Sequence, residues 1–176
     1  MSRYGTSGKL GIYFLPVCAD MSAPTVEEIT AGVSLHNYVT RDGLKTPNSG
    51  NTVDSSVVGS DFTTTVGGTR GGDAATLTCQ RDSLGSADLA WATLTDGSVG
   101  FIAVARPGWN QSVTTGIGSP EATPKAGDRC EVYSVEVLTR AMADIAENQT
   151  SRFDAQLPIT APPALDAVVA AAPSGS

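Results

Sequence analysis

The stretch from Ser151 to Thr160 constrains the fold most. Phe153, Ala155, Leu157 and Ile159 alternate with Arg152, Asp154 and Gln156, the two-residue period of a strand with one face in a core and the other in water. A helix would scatter those four apolar side chains around its circumference, so this segment demands a sheet and an apolar layer to cover it. Other runs answer the demand. Lys9 to Leu15 sets Leu10, Ile12 and Phe14 against Lys9, Gly11 and Tyr13, and Ala75 to Arg81 sets Ala75, Leu77 and Cys79 against Thr76, Thr78 and Gln80. Val99 to Arg106 is apolar on both faces, which predicts a strand in the middle of the packing. Cys130 to Thr139 is rich in Val and Tyr, with Glu136 a polar intrusion on the face of Val132 and Leu138.

Helical signals are few. Between Arg81 and Val99, Ser86 is the expected N-cap, with Asp88 in the first turn at the positive end of the helix dipole. Ala87, Ala90, Trp91 and Leu94 then form one apolar stripe, and Gly97 ends the helix. Thr25 to Ala31 predicts a shorter helix, with Thr25 capping and Glu28 at the capping-box position. Ala141 to Asn148 reads as a brief turn. The fold class expected from these elements is mainly β (α+β), one domain over residues 1–176 with a single good helix.

Two segments resist that pattern. Thr40 to Asp73 carries seven glycines in 34 residues, and structureless connections of that length are uncommon inside compact domains. Its Val53, Val57, Val58, Phe62 and Val66 must pack somewhere. The core is lean, because the 40% hydrophobic content is padded by 22 alanines, so a neighbouring molecule is the expected cover. The tail from Ala161 to Ser176 is similar, with Leu165, Val168 and Val169 set between prolines.

Composition excludes several functions. Only 16% of residues are charged and the net charge is −7, whereas gripping DNA or RNA takes clustered Lys and Arg. The same balance disfavours an anionic membrane surface. No run approaches the roughly 18 apolar residues of a spanning helix, and the N-terminus lacks the normal form of a signal peptide. Cys18, Cys79 and Cys130 have no metal-ligand spacing, and their odd number suits buried thiols in a reducing compartment.

Chemistry is poorly provided for. His36 is the one histidine, and no G-x-S-x-G segment supplies a nucleophile for it. A zinc site would need Cys18, Cys79, Cys130 and His36 to converge from four remote segments. Gly8-Lys9 lacks the earlier glycine of a phosphate loop, and the adjacent Glu27 and Glu28 point to different helix faces. Trp109 between Gly108 and Asn110 offers one aromatic for stacking on a sugar or a base. The expectation is therefore no enzyme, with no catalytic, cofactor or metal residues.

The segments together resemble a known family, the major tail (tail tube) proteins of long non-contractile-tailed bacteriophages of the actinobacteriophage type. The resemblance rests on Arg3-Tyr4-Gly5-Thr6-Ser7-Gly8-Lys9-Leu10 running into Ile12-Tyr13-Phe14, on Asn51-Thr52-Val53-Asp54 and Gly71-Gly72-Asp73, and on Leu77-Thr78 to Asp82-Ser83. It continues through Asp128-Arg129 to Tyr133, Val135-Glu136-Val137, Arg152-Phe153 and Pro163-Ala164-Leu165-Asp166-Ala167. No single piece is specific; their order along nearly the whole chain carries the likeness.

The resemblance implies a β-sandwich or barrel-like domain with a flanking helix. Such subunits form hexameric rings that stack into a hollow tube, with neighbouring sheets joined edge to edge around the lumen. It also implies a structural virion protein, made in the bacterial host cytoplasm and resident in the phage tail. The implied partners are further copies of the chain, a tape-measure protein, a tail terminator and distal tail proteins. DNA would pass through the lumen without specific binding, and no membrane or cofactor is involved. The expected inter-subunit residues are Val53, Val57, Val58, Phe62 and Val66 in the 40–73 loop, Tyr4 in the 1–8 arm, and Leu165 and Val168 in the 161–176 arm. An anionic lumen wall would repel phosphates, and Asp154, Gln156, Glu131 and Glu136 are its candidates. The alternatives are another β-rich phage assembly protein, such as a tail terminator or capsid decoration protein, and a carbohydrate-binding β-sandwich using Trp109.

Overall fold

The computed structural model describes residues 8–46, 48–54, 65–72, 74–82, 88–143 and 150–171, with the strands at 48–54 and 65–72 given by their backbone alone. The elements run β1 (Gly11–Leu15), α1 (Val26–Ala31), β2 (Val33–Ser34), β3 (Val39–Lys45), β4 (Asn48–Asp54), β5 (Thr65–Gly72) and β6 (Ala75–Gln80). They continue with α2 (Leu89–Thr93), β7 (Val99–Ala105), β8 (Arg129–Glu136), β9 (Thr139–Met142), β10 (Arg152–Leu157) and β11 (Ala164–Val168). The protein is mainly β, as the alternating runs require.

Two antiparallel sheets pack face to face. One has the order β11-β8-β7-β1-β2 and the other β3-β6-β10-β9, while β4 and β5 form a separate two-stranded ribbon. The alternation of β10 is realised in full: Phe153, Ala155 and Leu157 are completely buried and join Leu77 and Cys79 of β6 in the core between the sheets. Ile12, Phe14, Ile102, Val104, Tyr133 and Val135 close that core from the five-stranded side. Each large side chain removed from water here contributes roughly 1.5–3 kcal/mol.

The five-stranded sheet is buried on its other face too. Leu15, Ala103, Ala105, Cys130, Val132 and Ala167 form a second core with Ile29 of α1 and with Trp109. This is why β7 reads as apolar on both faces, and it is the central strand of its sheet. It also explains Glu136, which lies opposite Val99 at the end of that face left uncovered.

Five expectations change. The 40–73 segment is not without regular structure, because β3 pairs with β6 and β4 pairs with β5. The irregular register between Val39 and Leu44 hides β3 from a period-two reading. The C-terminal segment is not an arm over 164–170: β11 pairs with β8, and Ala167 and Val169 are buried. The turn expected from Ala141 begins inside β9, which pairs with β10. The cap of α2 is Asp88, whose side chain accepts from the Trp91 N–H, while Ser86 lies outside the described residues. Helix α1 matches its signal, with the Thr25–Glu28 capping box complete, and at six residues it is longer than α2, which has five and ends at Thr93 ahead of Gly97.

Around α2, Asp88 also pairs with Arg81 at 2.5 Å. The guanidinium of Arg81 lies 4.0 Å from the centre of the Trp91 ring and that of Arg140 lies 3.8 Å from it. The Trp91 edge meets Phe153 at 5.0 Å. These contacts tie the helix to β9 and β10 through cation–π and edge-to-face packing.

Candidate functional site

The polar residues of β10 have neighbours that the sequence could not assign. Register sets Arg152 beside Gln80, Asp154 beside Thr78 and Ala141, and Gln156 beside Thr76 and Thr139. Lys45 of β3 joins the same row through Thr76. The outward face of the four-stranded sheet is thus rich in hydroxyls and amides, and Thr78 Oγ1 donates to Asp154 at 2.5 Å. Its charges are mixed rather than acidic, since Lys45 and Arg152 share the face with Asp154.

Glu131 and Glu136 do not lie on this face. Both belong to β8 in the other sheet. Glu131 shares a side with Val104 and Tyr133, where Arg106 grips it through Nε at 2.5 Å and Nη2 at 2.9 Å and Tyr133 donates its hydroxyl at 2.7 Å. That bond to Glu131 and burial raise the Tyr133 pKa, burial being the larger cause. Glu136 is exposed on the opposite side of the strand. Of the four lumen candidates, the structure brings together only Asp154 and Gln156.

The contact candidates are also separated. Leu165 and Val168 are exposed on β11, an edge strand. Val53 and Val66 are register partners in the ribbon. Tyr4, Val57, Val58 and Phe62 lie outside the described residues.

The connection from β7 to β8 holds functional-looking polar residues that sequence reading missed. Asp128 is completely buried, and its carboxylate accepts from the backbone N–H groups of Asn110 (2.7 Å), Gln111 (2.8 Å) and Lys125 (3.0 Å). Buried Gln111 donates to the carbonyls of Gly108 and Arg129 and accepts from the Arg129 N–H. Gly127-Asp128-Arg129 after a long Gly- and Pro-containing stretch is the signal available in the sequence. A carboxylate beside a turn glycine is well placed to collect backbone donors.

The remaining chemical candidates are structural. Ser34 Oγ and His36 Nδ1 lie 2.6 Å apart, a contact across two residues, and burial lowers the His36 pKa. Burial raises the thiol of Cys18 to about 11 and those of Cys79 and Cys130 to about 12. Thiolate reagents at pH 8 are therefore expected to leave all three cysteines untouched in the native protein and to titrate all three in denaturant. Rapid reaction of native protein in a chromogenic thiol assay would contradict this. Among the described residues, no three His, Cys, Asp or Glu side chains are grouped to hold a metal.

Trp109 has no exposed surface, and its ring meets Tyr13 edge-on at 5.7 Å. A Cβ at Gly11 would sit 2.2 Å from Trp109 Nε1, so Gly11 is the notch that admits the indole. This burial overturns the carbohydrate reading, which needs an open aromatic face.

The phage tail tube protein family model matches residues 1–172. The chain belongs to that family. It is accordingly a structural protein of the virion tail, and the family is not one of enzymes. Two solved structures share the fold. One is from the tail of an empty gene transfer agent particle refined with C6 symmetry (TM-score 0.52, 11% identity, 93% of this chain and 98% of that chain covered). The other is from the virion of a native gene transfer agent particle (TM-score 0.50, 12% identity, 96% and 100% covered). No curated protein matches. At such identities the likeness lies in the backbone, which the two-sheet architecture of this tail tube protein already defines.

Proposed function

We propose that the protein polymerises into stacked six-membered rings and forms the conduit through which DNA leaves the particle. The observation that carries this reading is the four-stranded sheet, which is buried on one face, polar on the other, and bounded by β3 and β9. The outer edges of β3 and β9 have no strand partner among the described residues. Edge-to-edge joining of such sheets around an axis would close a barrel and remove the exposed edges that make a lone β domain prone to misassociation. The C6 symmetry used for the similar tail supports six subunits per ring.

Asp154 and Gln156 then line the lumen with Thr76, Thr78 and Thr139. This wall lets DNA slide by offering few charges. Lys45 and Arg152 are separated by hydroxyls and accompanied by Asp154, so no cationic cluster forms to hold phosphates. A tape-measure protein inside the growing tube sets its length, and terminator and distal tail proteins occupy its ends. Negative-stain microscopy of the purified chain at high concentration is expected to show hollow tubes of uniform width. Monomers at every concentration, or single rings that never stack, would overturn the reading.

A further inference from the structure

Besides Leu165 and Val168 on its β11 edge, the five-stranded sheet carries exposed large apolar residues at both ends. At one end Val99, 65% exposed, lies opposite Glu136. Val17 (64% exposed) lies two residues past the end of β1, whose Leu15 pairs with Phe101 two residues after Val99, whereas Leu138 (57% exposed) already belongs to the crossing into the other sheet, its N–H donating to the Gln156 carbonyl. At the other end Val113 is fully exposed on the connection from β7 to β8.

The Val113 turn is ordered without a partner. The Gly116 N–H donates to the Ser112 carbonyl at 2.7 Å, the Ser112 N–H donates to the Ile117 carbonyl at 3.1 Å, and Gly116 takes a φ of 66° that suits glycine. Its root is clamped by Asp128 and Gln111. A fully solvated valine on a preorganised turn has little ordering entropy left to lose on contact. The two ends also differ in charge. Glu136 and Asp96 are exposed beside the Val99 end, where Arg140 pairs with Asp96, while Lys125 and Arg129 are exposed beside the Val113 end and outnumber Asp166 there, so the first end stays net acidic and the second net basic.

We propose that the Val113 turn of one subunit docks on the Val17–Val99 end of a second copy in the next ring. This rests on the tube reading above. Two different, complementary patches make a heterologous contact, which repeats without closing and so builds a filament. Opposite charges beside the two patches set the polarity and disfavour like ends meeting. The contact uses the ends of the five-stranded sheet and leaves the edges of the four-stranded sheet for neighbours within a ring.

The test is cross-linking in assembled tubes. A full-length chain carrying both Val113→Cys and Val99→Cys, mildly oxidised after assembly, is expected to give a ladder of multimers on a non-reducing gel. Either substitution alone should give none, because the native thiols are buried. Double-variant tubes that yield only monomer would overturn the contact while leaving the tube reading intact. Dimers from Val113→Cys alone would show like ends meeting, and would also overturn it. Val113→Asp gives a second reading that needs no cross-link: an unchanged monomer melt and at least a tenfold rise in the concentration needed for tubes. An unchanged tube threshold would count against the contact, whereas absence of tubes from the unaltered chain would remove the tube reading itself.

Discussion

A chain lacking Thr46 to Gly71 is expected to fold as a monomer and to form no tubes. The register explains why the fold should tolerate the loss. Lys45 of β3 lies opposite Thr76 of β6, so the deletion joins the two strands through Gly72, Asp73, Ala74 and Ala75, a four-residue hairpin loop of ordinary length. The ribbon pairs with itself, and among the residues whose side chains are described, the core between the sheets takes none from 46–71. Shortening the loop even lowers its closure entropy slightly. The deleted segment carries Val53, Val57, Val58, Phe62 and Val66, which a monomer with a lean core has little reason to keep. Circular dichroism should show a native-like spectrum and a melting temperature within a few degrees of the full chain, and sedimentation should show monomer at concentrations where the full chain polymerises. Tubes of normal width from the shortened chain would end the role given to this segment.

How much of this was legible depends on which elements obey a simple period. β1, β6, β7 and β10 are strands of regular register, and their faces follow directly from alternation. The capping box of α1 is likewise a local signal, complete within Thr25 to Glu28. β3 is invisible to that approach because Arg41, Asp42 and Gly43 fall in an irregular register. β9 has four residues at a sheet edge, too few to show a period. β11 hides among alanines and prolines, and only its pairing with β8 reveals Ala167 as core. Glu131 shows the limit for site residues. Its charge suggests a solvent-facing wall, yet its partner Arg106 lies 25 residues away on the far side of a long connection. Which carboxylates share a face is a matter of strand order, and strand order is not written in any one segment.

Asp128→Ala is expected to be the most damaging single substitution in the domain outside the apolar core. The native carboxylate, itself without solvent exposure, satisfies three backbone donors, that of Gln111 buried and those of Asn110 and Lys125 part-buried. Alanine leaves those donors without an acceptor, and each buried unsatisfied group costs roughly 1–3 kcal/mol. Water entering the vacated space would recover part of this, so a net loss of about 3 kcal/mol or more is expected, or ~6–12 °C in the melting temperature for a domain of this size. Asp128→Asn keeps one acceptor oxygen but turns an NH2 group toward an N–H, and should fall between the two. The damage should also spread to assembly, because Asp128 clamps the root of the turn that presents Val113. In a surviving fraction of folded Asp128→Asn protein, tube formation should weaken by more than the loss of folded chains accounts for. Calorimetry paired with a polymerisation assay separates the two effects: equal melting temperatures for all three proteins would refute the clamp, and tube formation that simply tracks the folded fraction would confine Asp128 to holding the monomer together.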